Sequence, residues 1–381
     1  MKTSIEPDPI YLDYNATTPV DPRVAAAMMP YLTAEFGNPS SSHVLGRRTK
    51  EAVEEARSAV AELLDADPTG VVFTSGGTEA NNHAILGAAR ANRHRGRHIV
   101  TTAVEHPAVT AVCRYLETEG FSTTYVPVDG TGRVDAAAVA AVLTDQTVLV
   151  TVMHANNEVG TLQPVAEIAA LARAKGILSH TDCAQSVGKV PVSAAELGVD
   201  MISVAGHKLY APKGVGVLWV RPGVALPNLM HGASHEGGRR PGTENVLEIV
   251  GLGTACRLAA ADVHDEVPRL AGLRDRLEAG LLRAFPSARI HGHPELRLPN
   301  TLSIGFPGVL AADIMAALPN VAVSAGAACH GDSVVISHVL AAMKVPDEFA
   351  RGTLRISVGR MTTPQEVETA LEAIKAAVAS L

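Results

Sequence analysis

The chain has 381 residues, of which 47% are hydrophobic and only 3% aromatic, and its formal net charge is −7. That is enough apolar material for a sizeable core and too long a chain for one small domain, so a large and a smaller lobe are expected. The acidic balance and the shortage of aromatic rings argue against a sequence-independent grip on DNA or RNA, which needs clustered Lys and Arg and stacking platforms.

From the N-terminus, apolar spacing predicts a helix over Glu51–Leu64, a strand over Val71–Thr74 and a helix over Thr78–Asn92. The basic stretch Arg90–Arg97 reads as a solvated loop. Strand and helix then alternate: strands at His98–Thr102, Thr124–Val128, Thr147–Met153, Ile177–Thr181, Asp200–Val204 and Val215–Val220, with helices at Pro107–Thr118, Asp135–Leu143 and Val165–Lys175. The strands are near-continuous apolar runs, as in a largely parallel sheet covered on both faces. A Gly/Arg/Pro-rich stretch follows, then a long helical pattern from Asn245 to about Phe285. Strands at Ser303–Phe306, Val321–Ser324 and Leu354–Val358 suggest a smaller α+β unit. The predicted division is 18–260 for the large domain and 1–17 with 261–381 for the small one, with a hinge near residue 260.

Of the four cysteines, Cys113, Cys183, Cys256 and Cys329, none is spaced as CxxC, and four in so long a chain make no disulfide framework. No HExxH or Cys/His cluster points to a metal, and His291-Gly292-His293 reads as a turn. Met1–Pro9 is polar and holds two prolines, and no apolar run reaches the roughly 18 residues that would cross a bilayer. A cytoplasmic protein without a membrane partner is the expectation.

The chemistry collects where strands end. In Gly206-His207-Lys208, an amine sits in a turn after an apolar strand; desolvated there, it can form a Schiff base with an aldehyde. Thr74-Ser75-Gly76-Gly77-Thr78 opens a helix after a strand, a place for a phosphate, though it is no P-loop because no Gly-Lys-Ser/Thr follows. Asp182 ends a buried strand, where a carboxylate is costly unless paired; a pyridinium nitrogen is one fitting partner and a helix cap the other reading. Glu105-His106-Pro107 offers a His to stack on a flat ring or shuttle protons, or a simple cap. Asn156-Asn157-Glu158 offers amides, or a turn. Separately each is ordinary; together they put Thr78, His106, Asn157, Asp182 and Lys208 at the strand ends of one sheet, where ligands bind in such folds.

Several segments, in order, resemble the cysteine desulfurases of the NifS/IscS type, in the class-V aminotransferase group. They include Tyr11-Leu12-Asp13-Tyr14-Asn15-Ala16-Thr17-Thr18-Pro19, Phe36-Gly37-Asn38-Pro39-Ser40-Ser41, Glu105-His106-Pro107, Asn156-Asn157-Glu158, Gly206-His207-Lys208, Arg239-Arg240-Pro241-Gly242-Thr243-Glu244-Asn245 and Arg355-Ile356-Ser357-Val358-Gly359-Arg360. The resemblance implies the fold type I architecture of pyridoxal 5'-phosphate enzymes (aspartate aminotransferase-like) and a homodimer. Lys208 would be joined to the cofactor, Asp182 would pair with its ring nitrogen and Gln185 with its ring 3-oxygen, and His106 would stack on the ring. Gly77, Thr78 and His207 would hold the phosphate, with Thr243 from the other subunit. Asn157 and Arg355, with Asn38 nearby, would orient the substrate carboxylate. The family usually has Ser where Ala205 stands, so that phosphate contact is missing or comes from Ser203 or a water.

Cys329, in Ala327-Ala328-Cys329-His330, matches the family's persulfide-forming cysteine. The implied reaction turns L-cysteine into L-alanine and leaves sulfur on Cys329 for an acceptor protein, serving iron–sulfur assembly, tRNA thiolation or DNA phosphorothioation. The same four residues also resemble the segment in selenocysteine lyases, so L-selenocysteine is an alternative substrate. A plain aminotransferase needs no Cys329, and a non-catalytic sulfur-delivery scaffold needs none of Lys208, Asp182 and His106. Val334-Val335-Ile336 replaces the Ser/Gly-rich residues usual after this cysteine, and branched side chains favour extended backbone, so an ordered Cys329 loop is expected.

Overall fold

A computed structural model describes residues 9–330 and 333–381, without the side chains of 327–330 and 333–334. Its centre is a seven-stranded sheet in the order Val71–Thr74, Gly216–Val220, Met201–Ala205, Leu178–Asp182, Thr147–Thr151, His98–Thr102, Ser122–Val126. The last five strands of that order pair parallel, whereas Gly216–Val220 runs against both of its neighbours. Apart from the edge strand Ser122–Val126, strand residues are buried on nearly every position of both faces, as their apolar runs predict.

One face packs on helices Val44–Leu63 and Val246–Ala284 through residues such as Val53, Val60, Ile202 and Leu252. The other face packs on Gly77–Ala91 and Pro107–Thr118 through Ile85, Leu116, Leu149 and Met201. A second core lies between the small antiparallel sheet (Ser324–Ala325, Thr353–Ser357, Thr301–Gly305, Arg289–His291) and helix Pro364–Ala379. The long helix serves both: Ile249 to Ala259 point into the first core and Leu270 to Leu281 into the second. It runs unbroken past residue 260, where the sequence suggested a hinge.

Helix Val44–Leu63 starts seven residues before its predicted onset at Glu51. His43 caps it by accepting from the Gly46 amide at 3.3 Å. Gly46 interrupts the apolar pattern, but a side chain there would collide with the carbonyls of Ser41 and Asn38. Several short helices escape periodicity, among them Pro22–Met28, capped by Asp21, and His338–Ala342, capped by Ser337. Both are under two turns, too short to repeat a pattern. The predicted strand Val321–Ser324 is split: Val321–Ala322 pairs with Ile10–Tyr11, while Ser324–Ala325 joins the small sheet.

After the small sheet's edge the backbone forms a two-stranded ribbon, Ala327–His330 against Ser333–Ile336, with Cys329 opposite Val334. The expectation of an ordered Cys329 loop takes in residues 331–332, which lie outside the described residues.

Candidate active site

Because all strands but one run the same way, Thr74, Thr102, Thr151, Asp182 and Ala205 end along one edge of the large sheet. The residues just beyond those ends line a cleft of about 440 Å³, a normal size for a small-molecule site. Gly77, Thr78, His106, Asn157, Asp182, Gln185, His207 and Lys208 all line it. Arg355 reaches in from the small sheet and Asn15 from the segment near the N-terminus, so both cores contribute walls.

Lys208 follows strand Met201–Ala205 in a tight turn, and its Nζ donates to the carbonyls of Asn15 at 2.5 Å and Ala16 at 2.7 Å. Burial, and then the Arg355 guanidinium, lower its pKa to about 8, against the pull of Asp13 and Asp182. A far larger share of the amine is therefore neutral, and nucleophilic, near physiological pH than for an ordinary lysine, although the charged form still predominates. Asp182 is buried; its carboxylate accepts from Asn81 Nδ2 at 2.7 Å and from the Ala184 amide at 2.9 Å. Both donors are neutral, and among the described residues it forms no ion pair.

His106 caps helix Pro107–Thr118 through Nδ1, which accepts from Ala108 N at 3.1 Å. Its pKa is lowered by burial, partly offset by Asp182. His207 is pushed down to about 4 by burial and by the nearby Lys208. Both rings are neutral at neutral pH.

Helix Gly77–Ala91 opens without a side-chain cap, so its first amides face the cleft free of a capping oxygen. Gly76 has φ 149°, open to glycine, and a Cβ on Gly77 would lie 3.2 Å from that of Ala205. A Cβ on Gly216 would lie 2.6 Å from Gly76, so the neighbouring strand also needs glycine here. With Ala rather than Ser at 205, the wall beside Gly77 is apolar.

Arg355 is clamped by Asp13 (Nη2 to Oδ1, 2.7 Å), by Ser324 Oγ at 3.0 Å and by the Asn157 carbonyl at 3.2 Å. Its buried Nε has no protein partner. With three of the five N–H donors engaged, a second Nη1 hydrogen also stays free for an incoming acceptor.

Three predicted residues lie elsewhere. Ser203 is fully buried beneath Ala205 and its hydroxyl is held 2.9 Å from His180 Nε2, so it does not replace the missing serine contact. Asn38 and Thr243 are exposed and outside the cleft wall. Sequence reasoning missed Asn81, one helical turn beyond Thr78, whose spacing places it on the same face. It also gave no role to Asn15, although the Tyr11–Pro19 segment was singled out.

Cys113, Cys183 and Cys256 are buried, and burial pushes each thiol up to about 12. None is a thiolate at neutral pH. The hairpin that carries Cys329 is tied to the cleft rim at its base. Ser337 Oγ donates to Glu158 Oε2, and His338 Nε2 lies 2.8 Å from the Glu105 carbonyl. Val339, Leu340 and Met343 pack with Val104, Met153 and Val159, which follow the sheet strands into the site. No helix among the described residues is long and apolar enough to cross a membrane.

The class-V aminotransferase family matches residues 10–370. A cysteine desulfurase IscS of Salmonella arizonae is 45% identical over 378 residues, covering 98% of this chain and 93% of the relative. Among solved structures, a NifS-like protein superposes with a TM-score of 0.92 at 37% identity, covering 98% of this chain and all of the other. SspA in complex with cysteine gives a TM-score of 0.81 at 34% identity, covering 92% and 98% of the two chains. Fold, cleft and likeness agree: the chain belongs to the class-V aminotransferase family and, within it, to the cysteine desulfurases, fold type I enzymes of the α/β class.

Proposed function

We propose that this enzyme takes sulfur from L-cysteine, releases L-alanine and holds the sulfur as a persulfide on Cys329, with pyridoxal 5'-phosphate bound in the cleft. The observation that carries this is the pairing of a largely buried, pKa-lowered Lys208 with a buried, cation-free Asp182 in one cleft. A carboxylate so placed is costly without a positive partner, and a protonated ring nitrogen supplies one. The uncapped helix at Gly77 and Thr78, with His207 beside it, suits a phosphate. Gln185 lies where it can reach a ring oxygen, and His106 lines the cleft where it can lie against the ring.

The cofactor, when bound, supplies an aldehyde for the amine and a ring that takes up electron density. The chain's residues do the rest. Arg355, already clamped, binds the substrate carboxylate through its free donors, with Asn157 beside it. Lys208, neutral near pH 8, accepts the proton from the substrate Cα. The Cys329 thiolate attacks the substrate sulfur: an S–S bond forms, the C–S bond breaks, and protons returned to carbon give alanine. The sulfur then passes to an acceptor protein. Thr243, exposed and remote from this cleft, serves the phosphate of a second copy in a homodimer.

Two variants test the reading. Lys208→Ala should lose the yellow colour of the bound cofactor and all turnover. Cys329→Ser should keep the colour but release neither alanine nor sulfide from cysteine. Turnover of cysteine by Cys329→Ser would sink the persulfide role. Higher kcat/KM for selenocysteine than for cysteine in the parent would reassign the substrate.

A further inference from the structure

Lys189 stands outside the chemistry so far described, yet it is 7% exposed and forms no ion pair among the described residues. It lies in the turn after strand Leu178–Asp182, its amide bonded to the Ser186 carbonyl at 2.9 Å. Its Nζ donates to two side-chain amide oxygens, Gln185 Oε1 at 2.8 Å and Asn15 Oδ1 at 2.9 Å. Burial, and then the nearby Lys208, hold its pKa well below the ordinary lysine range. Both partners are oxygens, so the amine acts as a donor to each of them.

We propose that Lys189 is a positioning residue that fixes the side-chain amide of Gln185, so that Gln185 can present only a hydrogen-bond donor to the cleft. The amine takes one lone pair of Oε1 and holds that oxygen toward Lys189. The Gln185 Nε2 donates one hydrogen to the Asn15 carbonyl at 2.9 Å, which leaves its second hydrogen for the cleft that Gln185 lines. A flipped amide would set Oε1 against the Asn15 carbonyl, a repulsive contact in a buried place, and would cost the Lys189 hydrogen its oxygen acceptor.

Asn15 extends the effect. Its Oδ1 also accepts from Asn300 Nδ2 at 3.1 Å, its Nδ2 donates to Thr301 Oγ1 at 2.8 Å, and its carbonyl accepts Lys208 Nζ. Lys189 thus braces the residue against which Lys208 rests. The ligand chemistry selected is an oxygen anion or carbonyl next to the amine-reactive group. On the function proposed above, on which this inference rests, that is the cofactor's ring oxygen.

The test uses the full-length protein loaded with pyridoxal 5'-phosphate. In Lys189→Met, cofactor affinity by equilibrium dialysis should fall about tenfold. The midpoint of the pH titration of the bound cofactor's visible absorption should rise, because an anionic ring oxygen has lost its fixed donor. Gln185→Ala should shift the same midpoint, and the double variant should be no worse than Gln185→Ala alone. Additive effects, or a Lys189→Met protein that melts lower but titrates as the parent, would overturn the proposal. If Lys189→Met does not fold, Gln185→Glu decides. It keeps an oxygen for Lys189 but removes the donor, so it should shift the midpoint, and an unshifted midpoint refutes the donor role. A parent that binds no pyridoxal 5'-phosphate would instead refute the proposed function, a separate outcome.

Discussion

The two halves of the proposed chemistry sit on very different supports. Lys208 and Asp182 stand at the strand ends of a seven-stranded sheet covered on both faces by helices, and each is held by two hydrogen bonds. Cys329 belongs to a ribbon of two strands, joined to the site at its base by Ser337, His338 and the small cluster around Met343. A ribbon of two strands has little stability of its own, whereas a covered sheet fixes its ends. The division fits the tasks: a proton at carbon is moved within a fixed geometry, while sulfur must be collected in the cleft and handed to another molecule.

Variants on each side should therefore fail differently. The largest effect belongs to the sheet: Lys208→Ala should lower alanine production by on the order of 10³-fold or more, with loss of cofactor colour. If colour survived, the amine would not be the attachment point. A graded effect follows from its lowered pKa. Cofactor loading of the apo-protein should speed up with pH to about 8 and then level off, dropping about tenfold for each unit below, since only the neutral amine reacts. A loading rate flat between pH 6 and 8 would contradict the placement of Lys208 beside Arg355. On the ribbon side, Glu158→Ala removes the tether to Ser337 and should lower sulfur release about tenfold, the value of one lost hydrogen bond of about 1.4 kcal/mol. The cofactor's absorption should stay unchanged. A change there would mean that the ribbon and the sheet site are not separable.

The same contrast governs what could be read from sequence. The sheet was legible because its strands are apolar runs and its reactive residues follow directly at their ends, as with Val204-Ala205 before Lys208 and Thr181 before Asp182. Local spacing carries that information. Contacts between distant segments do not appear in any window: Asn15 meets Lys189, Lys208 and Thr301 only once the N-terminal segment crosses the mouth of the cleft. Ser203 misled because a hydroxyl two residues before Ala205 shares its face of the strand. Its depth in the sheet, against His180, shows only in three dimensions. The long helix shows the same limit, since one periodic pattern serves two cores and no window tells which residues face which.

Glu105 joins the two supports, and its variant is the subtlest test. Its carboxyl accepts from Thr102 Oγ1 at 2.7 Å and from the Met153 amide at 2.9 Å, while its carbonyl meets His338 at the ribbon's base. Complete burial, reinforced by Asp182, pushes its pKa up to about 8 in spite of those donors. The folded chain thus keeps a proton that the unfolded chain releases near 4.5. The stability gained from holding it is full below that value and is lost as pH rises through about 8. Glu105→Gln keeps an accepting oxygen and cannot ionise, so its melting temperature should gain on the parent's from pH 5 to pH 8 and then run parallel. The final lead should be on the order of a few degrees. A constant difference across that range would mean that Glu105 is ionised in the fold, and that the ribbon's base rests on a charged rather than a neutral wall of the site.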